Sequence, residues 1–213
     1  MADSKSYTET FLAYVAEVAA GIDREQVDRM VELLSNLRDR GGRLFIIGVG
    51  GGAGHASHAV NDFRKLCGID AMTPLDNISE LTARINDDGW ETSFVDSLKV
   101  SHMSSEDALF VFSVGGGSRE NNLSMNIVRA VEHAKDVGTS VLGIVGRKEG
   151  ATARLGDCVI ILDKCPPETM TPLVEGFQAV LWHALVSHPR LRVKPGTWET
   201  VLSPVAHRGS PHD

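Results

Sequence analysis

The sequence predicts an α/β fold, in which a parallel β-sheet is covered by helices on both faces. Short apolar runs rich in β-branched residues recur along the 213-residue chain, which is typical of strands buried on both faces. Between these runs lie segments with apolar residues at three- and four-residue intervals, which indicate amphipathic helices. Strands that alternate with helices favour a parallel sheet, and the chain length favours one domain.

The order of the elements follows from these two patterns. Two helices are predicted over 7–21 and 24–40, ahead of the first strand. Later helices are predicted over 119–137 and about 172–187, with Pro172 suited to a first helical position. Five strands are predicted in the runs RLFIIGVG, GIDAMTPL, ALFVFSVG, SVLGIVG and DCVIIL.

The domain boundary is expected near residue 190. Residues 1–190 are predicted to form a single domain that begins with the helical segment. Residues 191–213 contain LSPVAHRGSPHD, a stretch rich in Pro, Gly, Ser and His, which predicts a flexible C-terminal tail.

Composition and charge exclude several classes of protein. The net charge of −7 at pH 7 argues against a nucleic-acid surface, which requires a basic stripe. No apolar run approaches the roughly 20 residues of a membrane span, and the start MADSKSYTETF lacks the pattern of a secretory signal. The cysteines Cys67, Cys158 and Cys165 are too few and irregular for a disulfide framework. We therefore expect a cytoplasmic protein without nucleic-acid or membrane partners.

Two glycine-rich loops follow predicted strands: GVGGGAG after the first and SVGGGS, Ser113 to Ser118, after the third. Ligands of open parallel sheets bind beyond the carboxyl ends of the strands, and the start of a following helix favours an anion. Tight turns alone would also explain the glycines, but two loops in equivalent positions favour phosphate binding. A dinucleotide site is disfavoured, because no acidic residue closes a second strand about 20 residues on.

Histidine and carboxylate side chains recur after the first loop and in the last predicted helix. His55, His58 and Asp62 share one helical face at i, i+3 and i+7. Glu175 and His183 lie eight residues apart, about 12 Å along a helix axis, so they could reach a shared ion only from opposite ends. Two imidazoles and two carboxylates suit zinc or a similar divalent ion.

Taken in order, these motifs resemble those of the sugar isomerase (SIS) domain family, specifically its phosphoheptose isomerases. The similarity covers about residues 10–188. It includes the two leading helices, the G-x-G-G loop, an Asn-Asp pair near position 86, the serine-containing phosphate loop and a late helix ending in histidine. The resemblance implies flavodoxin-like subunits, with a three-layer parallel sheet flanked by helices, in a homotetramer whose active sites lie between subunits. It also implies interconversion of sedoheptulose 7-phosphate and an aldoheptose 7-phosphate, often with zinc.

The resemblance also implies roles for individual residues. Asp62 takes the family's base position and His183 its acid position. The implied metal ligands are His58, Asp62, Glu175 and His183. The implied substrate contacts are Val49, Gly50, Gly51, Asp62, Asn86, Asp87, Ser113, Val114, Gly115, Ser118 and Glu175.

The chain departs from the family pattern at several of these positions. The first loop of the family usually reads G-N-G-G-S, whereas this chain has GVGGG. Val49 therefore replaces an asparagine and lacks its side-chain amide, and Gly52 replaces a serine and lacks its hydroxyl. Glycines also replace two hydroxyl residues of the second loop. Asp62 occupies a position where the family has a glutamate, and Glu175 one where the family has a glutamine. Both carboxylates are therefore candidate bases, and the identity of the sugar is not determined by these positions.

Aldose–ketose isomerisation is the leading hypothesis. It passes through an enediol(ate) and needs a base, an acid and a group that stabilises the oxyanion. A carboxylate, a histidine and a divalent cation supply these without an organic cofactor. The alternatives are an isomerase of another sugar phosphate, or a non-catalytic SIS module that binds a phosphosugar or a protein partner.

Overall fold

The computed structural model describes residues 6–202, which form one five-stranded sheet in the order β2-β1-β3-β4-β5. Every neighbouring pair of strands is parallel. The predicted α/β fold with a flavodoxin-like parallel sheet is thereby confirmed. The strands are β1 (Arg43–Gly48), β2 (Asp70–Met72), β3 (Ala108–Ser113), β4 (Ser140–Val145) and β5 (Cys158–Ile161).

Helices connect the strands, and several begin at a capping side chain. Ser6 and Glu9 form a reciprocal capping box at the first helix, and Asp23 caps the second. A short 3-10 helix, Pro167–Thr169, precedes the long eighth helix. The α-helices are α1 (Tyr7–Ala20), α2 (Arg24–Asp39), α3 (Gly51–Cys67), α4 (Ile78–Asp88), α5 (Ser93–Val100), α6 (Met125–Asp136), α7 (Ala151–Leu155), α8 (Met170–Ser187) and α9 (Thr197–Leu202).

The sheet separates two apolar layers, because successive strand residues face opposite sides. In β1, Leu44 and Ile46 pack with α2, α3 and α8, whereas Phe45 and Ile47 pack with α5 and α6. The same alternation runs through β3, where Phe110 joins the first cluster and Leu109 the second. Burial on both faces explains why the strands read as continuous apolar runs.

The sixth helix begins later than the sequence pattern indicates. The prediction of a helix over 119–137 is wrong for its first residues, because α6 starts at Met125. Ser118 and Leu123 instead exchange backbone hydrogen bonds of 2.9 Å in each direction. We call the segment from Ser118 to Leu123 the inserted hairpin, because it lies between β3 and α6 where the sequence pattern predicts the start of the helix.

The C-terminal boundary also differs from the expectation. Leu191 is buried, and the N–H groups of Val193 and Lys194 donate to the Leu66 carbonyl. The predicted flexible tail therefore does not begin at residue 191, since this part of the chain is hydrogen-bonded to the end of α3. The remainder of the predicted tail, 203–213, lies outside the described residues.

The described cysteines are buried thiols without disulfide partners. Burial raises the pKa of Cys67 to about 12, so its thiol stays protonated and unreactive. Within residues 6–202, none of the helices combines the length and the apolar character that crossing a membrane would require.

A buried ion pair holds the starts of β1 and β3 together. Asp107 is 3% exposed at its side chain and accepts hydrogen bonds of 2.7–3.1 Å from the backbone and guanidinium of Arg43. It also accepts the N–H of Ser104. Burial acts to raise the pKa of Asp107, but these hydrogen bonds outweigh it and hold the pKa below its usual value.

Asp107→Asn should lower the free energy of unfolding near pH 7 by about 3 kcal/mol, because it disrupts a largely buried pair. The folded-state pKa lies below the unfolded one, so the stabilisation is present above the unfolded pKa and disappears as the pH falls through the folded pKa. Urea unfolding across this acid range measures the difference. Asp70→Asn is the matched control, because Asp70 and its partner Arg64 are half exposed and their pair should contribute less than about 1 kcal/mol. An Asp107→Asn loss that does not shrink in acid would contradict this account.

Candidate active site

The two glycine-rich loops meet at the point where the strand order reverses. β1 lies between β2 and β3, so the chain leaves β1 toward one edge of the sheet and continues from β3 toward the other. Gly48 pairs in register with Phe112, which places the ends of β1 and β3 side by side. Such a switch point is where open α/β sheets bind ligands.

The first turn of α3 lies directly against the sheet. A Cβ atom at Gly52 would stand 2.5 Å from the backbone oxygen of Phe112, a separation that only glycine avoids. The hydrogen bond from the Gly52 N–H to the Val49 carbonyl, 3.1 Å, closes the turn that enters the helix. Val49, Gly50 and Gly51, which lie between β1 and the body of α3, are exposed to solvent at the switch point.

Three of the four predicted metal ligands converge between α3 and α8. Ligand atoms of His58, Asp62 and His183 all lie within 4.8 Å of one another. His58 Nε2 is 3.7 Å from an Asp62 carboxylate oxygen, and the two imidazole centres are 5.4 Å apart. Two imidazoles and one carboxylate with an open side fit the donor set of a catalytic zinc site.

Neighbouring groups orient this trio. His183 Nδ1 donates to the Ala179 carbonyl at 2.8 Å, so Nε2 is the nitrogen left to bind a ligand. The Asn61 amide donates to the Asp62 carboxylate at 2.8 Å. Trp182 is fully buried and its ring packs edge-on against His58, with centres 4.7 Å apart.

The fourth predicted ligand, Glu175, does not belong to the trio. Its carboxylate lies over Gly51 at the start of α3, where a Cβ on Gly51 would be 2.5 Å from the carboxylate carbon. His55 lies against the Glu175 backbone. Burial lowers the pKa of His55, and this contact with Glu175 opposes the shift. In this structure the predicted ligands therefore form two neighbouring groups between α3 and α8, and the binding of one ion by all four residues stays a prediction.

The second glycine loop is held by its carbonyl groups. Gly116 O accepts the N–H and hydroxyl of Thr152, and Gly117 O accepts the Ala151 N–H, at 2.8–3.0 Å. Ser113, buried at the end of β3, accepts the Gly116 N–H. Among residues 6–202, the N–H groups of Gly115 and Gly117 form no hydrogen bond. These amides can therefore receive an anion.

Two predicted substrate contacts lie apart from the trio. Asn86 and Asp87 are exposed near the end of α4 and hydrogen-bond to each other at 2.7 Å. The hydrogen bonds and ion pairs of residues 6–202 do not connect them with His58 or His183. Ser118 opens the inserted hairpin and its hydroxyl accepts hydrogen bonds from Asn121, while α6 starts seven residues later; its contact with substrate stays a prediction.

Sequence reasoning did not identify Trp182 and Ser124. Ser124 is the residue before α6 and takes the place at the helix start that Ser118 was expected to hold. The turn-forming residues of RENN, followed by Leu123, Ser124 and a periodic apolar run, could have indicated this boundary. No pattern in the chain signals that the indole of Trp182 would lie against His58, since that contact joins two helices.

Comparison with known proteins finds relatives over most of the chain. The family model described as "SIS domain" matches residues 6–146. The phosphoheptose isomerase of Helicobacter pylori strain P12 is 29% identical over 184 residues, covering 82% of this chain and 89% of the relative. The lincomycin biosynthesis protein LmbN of Streptomyces lincolnensis is 28% identical over 190 residues, covering 86% and 69%.

The fold agrees with solved structures as well. The structure of the phosphoheptose isomerase GmhA from Neisseria gonorrhoeae superposes with a TM-score of 0.70 at 23% identity, covering 83% of this chain and 94% of that one. The family match spans most of the chain, including the sheet as far as β4. The chain belongs to the SIS domain family and is an aldose–ketose isomerase of the phosphoheptose isomerase type.

Proposed function

We propose that the protein converts sedoheptulose 7-phosphate to an aldoheptose 7-phosphate by proton transfer through an enediol(ate). The observation that carries this proposal is the convergence of His58, Asp62 and His183 in a fold that also has a glycine loop whose Gly115 and Gly117 amides form no hydrogen bond within residues 6–202. A module that only bound a phosphosugar would have no use for such a group of acid–base side chains. The named activity of the Helicobacter relatives supports the same reaction.

A divalent metal, with zinc favoured, is proposed at the trio. The donor types and their mutual distances fit this ion. When bound there, the ion would polarise the oxygen atoms of the substrate. Glu175 remains a candidate fourth ligand, although in this structure its carboxylate lies at the other group.

The proton transfers are assigned to this chain's own residues. Asp62 would take a proton from C1 of the ketose, and His183 would deliver one to the C2 oxygen, which gives the enediol(ate). Return of a proton to C2 and loss of the proton on O1 then produce the aldose. A nitrogen that holds a metal cannot donate a proton at the same time, so the ligand and acid roles of His183 Nε2 are alternatives.

The spacing of the site supports a long sugar. His58 lies seven residues beyond Gly51, which is about 10 Å along the axis of α3. Phosphate bound at the loop from Ser113 to Gly117 would stand near Gly51, because Gly52 abuts the end of β3. An extended seven-carbon chain can reach from this loop to the trio, whereas a triose phosphate cannot. Ser118 is a weaker phosphate contact in this arrangement.

We also propose a homotetramer with active sites between subunits, in which each subunit consists of a single SIS domain. Much of α1 is exposed to solvent, including the large apolar side chains of Tyr7 (74% exposed) and Leu12 (60% exposed). An apolar groove between α1 and α8, lined by residues that include Phe11 and Phe177, continues this surface. A neighbouring subunit would cover it and could bring the Asn86–Asp87 pair to a site. The buried, unpaired thiols support a reducing cytoplasmic location.

The substrate assignment is tested by incubating the protein with sedoheptulose 7-phosphate and with ribulose, fructose and dihydroxyacetone phosphates. Proton NMR should show the fastest ketose–aldose conversion with the heptose phosphate and none with dihydroxyacetone phosphate, because a triose phosphate is too short to span both groups. Unphosphorylated sedoheptulose should also react poorly, since it lacks the remote binding energy of the phosphate. Equal turnover of all these sugars would contradict the proposed substrate.

The metal assignment is tested by His58→Ala. Wild-type protein dialysed after exposure to zinc should retain about one ion per chain, as expected for a site with three protein ligands, and the variant should lose most of it. Atomic emission spectroscopy measures the content. His188→Ala is the matched control, because His188 lies outside the trio. Unchanged zinc in His58→Ala would contradict the site.

A further inference from the structure

A cavity of about 600 Å³ opens beside the second glycine loop, and its lining does not include the trio itself. One wall consists of the loop at Gly115 and Gly117, and the inserted hairpin forms another. The lining also includes Arg147 and Glu149 of the segment after β4 and Arg154 of α7. This volume lies within the range of small-molecule binding sites, and its mixture of charged and polar groups suits a polar ligand.

Arg147 is the cation of this cavity that has no partner. Arg154 faces Glu120 at 3.8 Å, which partly neutralises its charge. Arg147 is exposed, and among residues 6–202 it forms no hydrogen bond or ion pair. A guanidinium in this position can offer several N–H donors to a phosphate.

Ion pairs connect the inserted hairpin to two neighbouring helices. Arg119 of the inserted hairpin forms two hydrogen bonds with Glu132 of α6, and the Glu120–Arg154 pair links the hairpin to α7. The loop carbonyls are occupied by Ala151 and Thr152. The lining therefore combines the amides of Gly115 and Gly117 with the guanidinium of Arg147, and none of these groups has a hydrogen-bond partner within residues 6–202.

We propose that Arg147 binds the phosphate of the substrate in this cavity and determines specificity for phosphorylated sugars. This inference rests on the proposed function, and it accounts for a departure seen in the sequence. Glycines occupy loop positions where hydroxyl groups are usual, so this loop offers fewer donors to a dianion. The guanidinium of Arg147 compensates for the missing hydroxyl donors, because a charge-assisted hydrogen bond is stronger than a neutral one.

The experiment compares Arg147→Met with Lys148→Met, which removes the same charge from the adjacent exposed residue outside this cavity. Arg147→Met should raise KM for sedoheptulose 7-phosphate about 10- to 100-fold, the range for loss of a hydrogen bond to a charged group. The kcat should change little, because the contact is equal in ground and transition states. Arg147→Lys should recover part of the loss.

Inorganic phosphate provides a second readout. It should inhibit the wild type competitively against the sugar phosphate, and Arg147→Met should weaken this inhibition by a similar factor. Equal KM values in Arg147→Met and Lys148→Met, or phosphate inhibition that is noncompetitive, would overturn the proposal while leaving the isomerase intact. If the wild type isomerises no sugar phosphate, the proposed function fails, and phosphorus NMR of phosphate binding to the wild type and Arg147→Met still decides the role of Arg147.

Discussion

The close approach of α3 to the carboxyl ends of β1 and β3 is the constraint on which the site depends. Only a residue without a side chain can stand at Gly52, next to the Phe112 carbonyl. Because the first turn is pressed against the sheet there, the rest of α3 runs alongside α8. His58 and Asp62 then face His183, and Gly51 leaves room for the Glu175 carboxylate.

This arrangement separates the amides of the second glycine loop from the ionisable trio. Free amides at Gly115 and Gly117 lie at the switch point of the sheet, and the ionisable trio lies about two helical turns further along α3. A ligand held at the loop by its phosphate would carry its distant carbons toward the trio. Binding energy from the phosphate can then position the reacting carbons, which is how remote groups contribute to rate.

Local patterns predicted the sheet, its parallel strands and the long helices, because continuous apolar runs and helical periodicity arise from burial within single elements. Spacing on one helix also predicted the closeness of His58 and Asp62. The pairing with His183 came from family resemblance, since it joins two helices far apart in sequence. The separation of Glu175 from this trio, the packing of Trp182 and the inserted hairpin escaped prediction, because each depends on contacts between elements or on backbone hydrogen bonds within a loop.

The central claim is that a carboxylate between α3 and α8, Asp62 rather than Glu175, moves a proton between neighbouring substrate carbons. Its most direct measurement is deuterium incorporation from heavy water into sedoheptulose 7-phosphate and its product, followed by NMR for the wild type, Asp62→Asn and Glu175→Gln. Each substitution keeps the shape of the side chain and removes its charge. The account predicts incorporation in the wild type and in Glu175→Gln, with loss in Asp62→Asn. Incorporation that survives in Asp62→Asn but vanishes in Glu175→Gln would contradict it and assign the base to the carboxylate beside Gly51.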